Sequence, residues 1–481
     1  MTHRFTGFVR ADGPRLVDGS GAPLLLRGVG LGNWLLAEGY MWKFGDELSS
    51  ARQIERRVQS LVGPDRAAEF WARFRGTYIT EQDIAAIAGL GFDHVRLPLN
   101  SRGLVNDDGA FLGGFAHIDD LLRWCETHGL WVLLDLHGAP GGQTGTNIDD
   151  SPNGKPELFM DERYRRLTIH LWEEIARRYR DNPVVLGYDL LNEPLPNEWQ
   201  HIYQAELVAL YRDLTAAIRA IDPNHLIIYE GSHWATNWSI FTEVLDPNSA
   251  LQFHRYWCPP DRSSIQEYLD VRDRLGLPIY MGEGGENTPE WIYTAHRLYE
   301  QHEIGWNFWP WKKLDTLTSP VSAEPPRGWE LIAGPRASME PDRAWAILQD
   351  FLDAVTLPAC GRRPEVVNAV FGRAPLRIPA WGFIDESPLF RDRFAGFGGN
   401  GIWHRSSGRP YAEAELMPMT VHTGEELHFP LDIRPCGWQA DADEPDAFEI
   451  SWRQDRLVAR ATRTARLRAL NVTVTESKQE S

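Results

Sequence analysis

The chain has 481 residues, enough for one large barrel and a smaller domain. It carries 49 basic against 67 acidic residues, a net charge of −18, which argues against nucleic acid and anionic membranes, since both are bound through basic patches. Hydrophobic residues make up 43% of the chain, as in a globular protein with a large core, yet no apolar run is long enough to span a bilayer.

The first ten residues, Met1 to Arg10, hold no apolar signal region, so a cytoplasmic location is expected. Phe8–Leu26 reads as a hairpin turning at Asp18-Gly19, placed to plug one end of a barrel. Eight short apolar runs follow as strand candidates: Leu24–Val29, Phe92–Leu97, Trp131–Leu136, Val185–Leu191, Leu226–Tyr229, Leu251–Tyr256, Pro278–Met281 and Gly305–Phe308. Helical stretches separate most of them. Thr80 to Asp83 resembles a capping box leading into Ile84–Leu90. Ile118, Leu121, Leu122 and Cys125 repeat at helical spacing, and Pro341–Val355 reads as the last helix of the set. Eight strand–helix units predict an α/β fold of the (β/α)8, TIM-barrel type. The alternative, an open doubly wound sheet, lacks a Gly-x-Gly-x-x-Gly after any strand. Long segments follow the first, third and eighth strands (38–79, 138–161, 312–340), at the end of a barrel where active sites form.

After Pro364 the pattern changes to short β-rich runs: Leu376–Ile378, Thr420–Thr423, Leu427–Ile433, Phe448–Trp452 and Leu467–Thr475. They predict a C-terminal β-sandwich domain over 365–481, with the catalytic barrel over 1–364. Residues 476–481 read as a frayed end. Cys125, Cys258, Cys360 and Cys436 follow neither CxxC nor metal-ligand spacing, so free thiols are expected.

Two carboxylates stand at strand ends. Glu193 closes the run 184–194, and Glu283 closes 277–283. A glycosidase needs such a pair: one carboxyl protonated to expel the leaving oxygen, the other ionised to attack the anomeric carbon. Strand alternation tests the idea, because residues two apart share a face. It groups His94, Arg96 and Pro98; Leu133, Asp135 and His137; Gln252, His254 and Tyr256; Ile279, Met281 and Glu283; and Asn307, Trp309 and Trp311. Polar and aromatic groups thus end five strands on one parity and should converge over the barrel mouth. Arg96, His254 and Tyr256 are donors for an ionised carboxylate. Asn192 is placed to bond a sugar 2-hydroxyl, and Trp309 to floor the ring. Each has a plainer reading: Asn-Glu-Pro suits any strand-to-helix turn, Arg96 could pair only with Asp135 or Asp189, and a lone His137 is usually structural. Glu286 competes with Glu283, which is nearer the strand end. Most of the 20 tryptophans should pack the core, with several stacking on sugar rings in a cleft.

At these residues the chain resembles glycoside hydrolase family 5, whose catalytic carboxylates stand on strands four and seven. The likeness is carried by residues 27–36, 94–98, 135–143, 191–194, 254–256, 281–285 and 305–312. It implies retention of anomeric configuration, Glu193 as acid/base and Glu283 as nucleophile. It also implies substrate-binding roles for Arg96, His137, Asn192, His254, Tyr256 and Trp309. The stretches around 136–141 and 308–312 are similar to the exo-β-1,3-glucanase and β-glucosidase branch, which adds Glu38 and one of Asp149 or Asp150 as binding groups. No cofactor or metal is implied, and the partner is a carbohydrate or glycoside. Those glucanases are usually secreted and often lack a C-terminal β domain, so a small β-glucoside is as reasonable a substrate as a polymer. The expectation is therefore an exo-acting retaining β-glucosidase. Its rivals are an endo-β-glycanase or diglycoside-specific glycosidase of the same family, and a non-catalytic carbohydrate-binding protein. A metal-dependent barrel hydrolase is disfavoured, because no His-x-His pair ends a strand.

Overall fold

The computed structural model of the chain describes residues 5–146, 148–334, 339–384, 403–412 and 415–473. Eight parallel strands close into a barrel: β1 (Arg27–Gly30), β2 (His94–Asn100), β3 (Trp131–Gly138), β4 (Val185–Asp189), β5 (Leu226–Glu230), β6 (Ser249–His254), β7 (Ile279–Gly285) and β8 (Gly305–Trp309). β8 pairs back onto β1 through Trp306–Arg27, Asn307–Gly28 and Phe308–Val29, which leaves no open edge. The expected TIM barrel is present, with strand boundaries shifted by a few residues. β7 runs past the expected Met281 to Gly285, and β1 starts at Arg27 because Leu24 belongs to a separate small sheet.

That sheet corrects the expected single hairpin. Arg10–Asp12, Arg15–Val17 and Pro23–Leu24 form three antiparallel strands with two turns. The first turn uses Gly13 at φ +57°, and in the second the Asp18 carboxylate accepts the Ser20 and Ala22 N–H groups. Its position is as expected. Val9 and Leu16 pack with Leu26, Trp131, Leu133, Leu186, Leu226, Ile228, Ala250 and Tyr280, closing the N-terminal end of the barrel with apolar side chains.

Helices cover the outside. Thr80 and Asp83 form the capping box of Glu81–Leu90 as the sequence predicts, and Gly91 ends that helix in the left-handed region. Phe115–His128 buries Ile118, Leu121, Leu122 and Cys125. The long segment after β1 folds into two helices of its own, Ala51–Val62 and Pro64–Thr77. Trp42, Phe70, Trp71 and Phe74 pack there against Trp329 and Phe351, so these tryptophans build core.

Helix Pro364–Phe371 packs on barrel helix Pro289–Gln301. The C-terminal part then forms two antiparallel sheets. Ala465–Thr473 pairs with Leu376–Pro379, Met419–Val421 and Gly437–Ala442, and Arg456–Ala461 pairs with Glu426–Pro430 and Phe448–Arg453. Leu427, Phe429, Leu457, Leu467 and Leu470 are buried between and under them. Two of these strands, Gly437–Ala442 and Arg456–Ala461, are not legible as apolar runs. Among the described residues Gly437–Ala442 pairs on one side only and buries only Ala440, and Arg456–Ala461, central in its sheet, carries exposed Arg460 among buried residues. Residues 474–481, including the end of the expected last strand and the expected frayed tail, lie outside the described residues.

Candidate active site

The barrel interior changes from apolar to charged along each strand. On β2, His94 sits low, its Nε2 2.5 Å from the Tyr280 hydroxyl, and Arg96 stands one inward step higher. On β3, Leu133 gives way to Asp135 and then His137. On β5, Leu226 and Ile228 lead to Glu230.

Arg96 is fully buried and gathers the site. Its Nε donates to Asp189 Oδ2 at 2.9 Å. One terminal nitrogen donates to Asn192 Oδ1 at 2.8 Å and Glu230 Oε1 at 3.0 Å, with Asp135 at 3.2 Å, and the other bonds Glu283 Oε1. The plain reading of Arg96 as an internal ion-pair partner and its functional reading are therefore both correct. One guanidinium cannot balance four carboxylates. Burial raises the Asp135 and Asp189 carboxyls, outweighing Arg96, so both favour the protonated form. Glu230 goes the other way: burial alone would raise it, but His254 and Arg96 hold it below its usual range.

Glu283 accepts from Arg96 on Oε1 and from the Tyr256 hydroxyl on Oε2, at 2.9 Å. Its carboxyl is raised chiefly by burial, against the pull of His254 and Arg96. Its inward aim has a different cause from the expected phase. Ile279 and Met281 face the outer helices, while Tyr280 and Gly282 face the interior. A bulge at Gly282, where Met281 and Glu283 pair with successive residues Phe253 and His254, turns Glu283 inward as well. A Cβ at Gly282 would lie 2.1 Å from the Gln252 amide, so only glycine fits there.

Glu193 follows β4 at φ +45°, a strained value for a residue with a Cβ that also precedes proline. Its N–H, turned out of the sheet, donates to Glu230 Oε2 at 2.7 Å. Its Oε1 lies 2.7 Å from His254 Nδ1, leaving Oε2 for a ligand. Burial lowers His254, but the charges of Glu230 and Glu283 and the bonds to Glu193 and Glu230 outweigh it, so His254 is raised well above the usual histidine range. Ligand atoms of Glu193, His254 and Glu283 lie within 4.8 Å of one another. They are already engaged with each other, with Tyr256 and with Arg96, so a cation here would have to displace a guanidinium. The donor set suits proton transfer.

His137 has the opposite character. Its ring lies flat on Trp309, centroids 5.5 Å apart and planes 6° from parallel, with Nδ1 2.7 Å from Asp135. Burial pushes it down to about 4, so it is neutral. Trp309 donates from Nε1 to the Tyr40 hydroxyl at 3.0 Å, and Gly30 and Gly32 make room for its ring: a Cβ at either would come within 2.7 Å of it. Trp311, expected beside Trp309 over the mouth, instead turns into the wall and bonds Asp83.

These groups open into a cavity of about 640 Å³, lined by Glu38, Tyr40, His137, Glu193, Tyr256, Trp257, Glu283, Glu286 and Trp309 among others. Two tryptophans of the described residues, Trp257 and Trp309, line it. Glu38 is buried with Oε1 unpartnered, and burial together with Glu283 and Glu286 raises its carboxyl well above the usual range. Glu286 is tied to Lys313 at the rim. Asp149 is not brought to the cavity. Its carboxylate accepts the N–H groups of Thr144, Gly145 and Ser151, so it shapes the loop after β3 and has no oxygen left for a ligand. Asp150 pairs with Arg102 and Asn100, likewise away from the cavity. Asp189 and Glu230 were missed as site residues, although Glu230 shares parity with Leu226 and Ile228 and the alternation rule would have found it.

Paired glutamates across a pocket, at the C-terminal mouth of a (β/α)8 barrel, define a glycoside hydrolase. The model for cellulase (glycosyl hydrolase family 5) matches residues 60–315, just over half of the chain, and the chain belongs to that family. A beta-xylosidase of Phanerodontia chrysosporium is 29% identical over 347 residues, covering 64% of this chain and 71% of the relative. A probable glucan 1,3-beta-glucosidase A of Emericella nidulans is 30% identical over 54% of this chain and 66% of its own length. A glucan 1,3-beta-glucosidase of Candida oleophila is 31% identical over 55% and 65%. The chain thus spans just under two thirds of these two glucosidases. A crystal structure of an endogalactoceramidase, 18% identical with a TM-score of 0.52, covers 97% of this chain and is itself covered completely, so the fold similarity extends over the C-terminal sheets.

Proposed function

We propose that the chain is an exo-acting, retaining β-glycosidase that releases a terminal β-linked glucose or xylose. The observation that carries this reading is the closeness of the two glutamates, with carboxylate oxygens within 4.8 Å. A retaining enzyme needs about 5–5.5 Å between its carboxyl groups, whereas an inverting one needs more than about 6.5 Å to admit a water.

The chemistry follows from the hydrogen bonds. Glu283 attacks the anomeric carbon as the bond to the leaving oxygen breaks, and Glu193 gives that oxygen a proton. A glycosyl ester on Glu283 results. Glu193, now ionised, takes a proton from water, whose oxygen attacks the same carbon and frees Glu283. Two displacements restore the starting configuration. Arg96 and Tyr256 hold Glu283 in line, and His254 keeps Glu193 oriented through both steps. Trp309 floors the ring, and Asn192, His137 and Glu38 are at hand for its hydroxyls.

Exo action is supported by the pocket's lining. Glu38 and Tyr40, after β1, and Ile148, after β3, stand in its wall, as residues of loops that shorten a groove would. The relatives' names support glucose and xylose as the sugars. Nitrophenol release from β-glucoside, galactoside, mannoside, xyloside and disaccharide glycosides, with Glu283→Gln as control and the product anomer read by proton NMR, tests this. Release of a β-anomeric monosaccharide that vanishes in the variant is expected. An α-anomer overturns retention, release from the disaccharide glycoside alone overturns exo action, and no release from any substrate by folded protein overturns the assignment.

A further inference from the structure

One wall of the cavity does not come from the barrel. Ser406, Ser407 and Arg409 line it, and they belong to the described segment 403–412, C-terminal to the strand Leu376–Pro379. The segment is fixed to the barrel mouth. The carbonyl of buried Trp403 accepts from Asn287 Nδ2 at 2.7 Å. The His404 ring meets Trp257 at a centroid distance of 4.5 Å, with planes 65° apart. Gly408, at φ +71°, lies so close to Leu317 and Thr318 that a Cβ there would come within 2.5 Å of Thr318 Cγ2. Tyr411 and Trp403 both pack on Trp381, anchoring the segment to the C-terminal part.

Between these anchors the side chains of Ser406, Ser407 and Arg409 are exposed. Arg405 is committed to Glu415 at 3.0 Å. The Arg409 guanidinium, by contrast, forms no ion pair among the described residues. Trp257, 40% exposed, presents a flat apolar surface beside it, held by His404 and by a bond from Nε1 to the Glu286 carbonyl at 3.2 Å.

Depth decides which part of a substrate meets this wall. The carbon under attack must lie between Glu193 and Glu283, above Trp309, so the transferred sugar fills the buried end. The leaving group then points outward, past Trp257 to Ser406–Arg409. We propose that the C-terminal module builds the leaving-group subsite and that this subsite takes a second sugar: Trp257 stacks on the ring, and Ser406, Ser407 and Arg409 bond its hydroxyls. This rests on the glycosidase reading above. A pyranose has one apolar face and a rim of hydroxyls, matching an indole flanked by hydroxyl and guanidinium groups. An alkyl leaving group would desolvate those donors without replacing their bonds.

The test compares two substrates sharing the sugar that the parent protein transfers. One is its glycosyl fluoride, whose leaving atom is too small to reach the mouth. The other is a β-linked disaccharide. kcat/KM is measured for parent, Arg409→Ala and Trp257→Ala. The ratio of disaccharide to fluoride kcat/KM is expected to fall about tenfold or more in each variant, as loss of one charged hydrogen bond or one stacking face implies. An equal fall on both substrates, or an unchanged ratio, overturns the subsite. A long-chain alkyl glycoside that loses rate in Trp257→Ala but gains it in Arg409→Ala, with the disaccharide ratio unmoved, overturns the sugar in favour of an apolar group. Parent protein inert toward every fluoride would remove the glycosidase reading, and this one with it, before any variant is compared.

Discussion

The two ends of the barrel are built from the same strands yet obey different physics. At the N-terminal end the inward side chains are Leu26, Leu133, Leu226, Ile228 and Ala250, sealed by Val9 and Leu16. One or two inward steps further along, they become Arg96, Asp135, Asp189, Glu230, His254 and Glu283, all buried. The lower end gains free energy simply by leaving water. The upper end holds five carboxylates around Arg96 and His254, with a left-handed Glu193 and a bulge before Glu283. Burying such groups costs free energy unless every one is paired, and the arrangement persists because each carboxyl has a donor or keeps its proton. Stability is concentrated at one end and chemistry at the other.

Substitutions at each end should separate the two properties. The largest effect is expected at Glu283. Glu283→Gln should lower kcat by at least ~10⁴-fold while leaving the thermal midpoint within a few degrees of the parent, read by steady-state kinetics and calorimetry. Glu193→Gln should cost about 10²–10⁴-fold, and the loss should shrink for a dinitrophenolate leaving group that needs no proton. A loss independent of the leaving group would take the acid role from Glu193.

Next comes Arg96→Met, which leaves Glu283, Glu230 and two aspartates without their shared cation. A loss of roughly 3–5 kcal/mol in denaturant unfolding is expected together with loss of activity, since removing one partner strands the rest. At the opposite end, Leu133→Ala should cost about 2–5 kcal/mol with KM unchanged. If KM rose with it, the two ends would be mechanically coupled and the comparison would fail.

The smallest effect is the pH dependence. Burial holds His137 down to about 4 and lowers His296 further. At these two positions the folded chain therefore binds fewer protons than the unfolded chain below pH ~6.5, opposite in sign to the raised Asp135 and His254. Each histidine should remove stability as the pH falls from about 6.5 toward 4, by about 2 kcal/mol each at pH 5. Chemical denaturation of parent and His296→Leu from pH 7 to 5 checks the His296 share: the stability difference between them should move by about 2 kcal/mol in favour of the variant, with His137 and the site left in place.

Much of this was legible in the residues. Parity along β2, β3 and β6 led from hydrophobic positions to Arg96, Asp135, His137 and His254 without any structure, because a strand's side-chain period of two survives tertiary folding. The same rule gave the right answer for Glu283 for the wrong reason, since a bulge is a one-residue insertion that only pairing with β6 reveals. It failed at Trp311, which lies beyond the end of β8, where alternation no longer applies. Asp149 looked like a ligand because it is acidic and follows β3. Its carboxylate is consumed by three N–H groups of its own loop, and loop hydrogen bonding has no sequence period.

The sequence by itself determined the barrel, the two glutamates and the ring of donors around them, because those depend on local periodicity and on the chemistry of residue types. Tertiary structure alone decided three things: the sharing of Arg96 among four buried carboxyls, the bulge that turns Glu283 inward, and the wall that Ser406, Ser407 and Arg409 add to the pocket. Each depends on groups far apart in the chain meeting at distances of a few ångströms, and pairwise electrostatics and shape at that scale leave no mark on the order of residues.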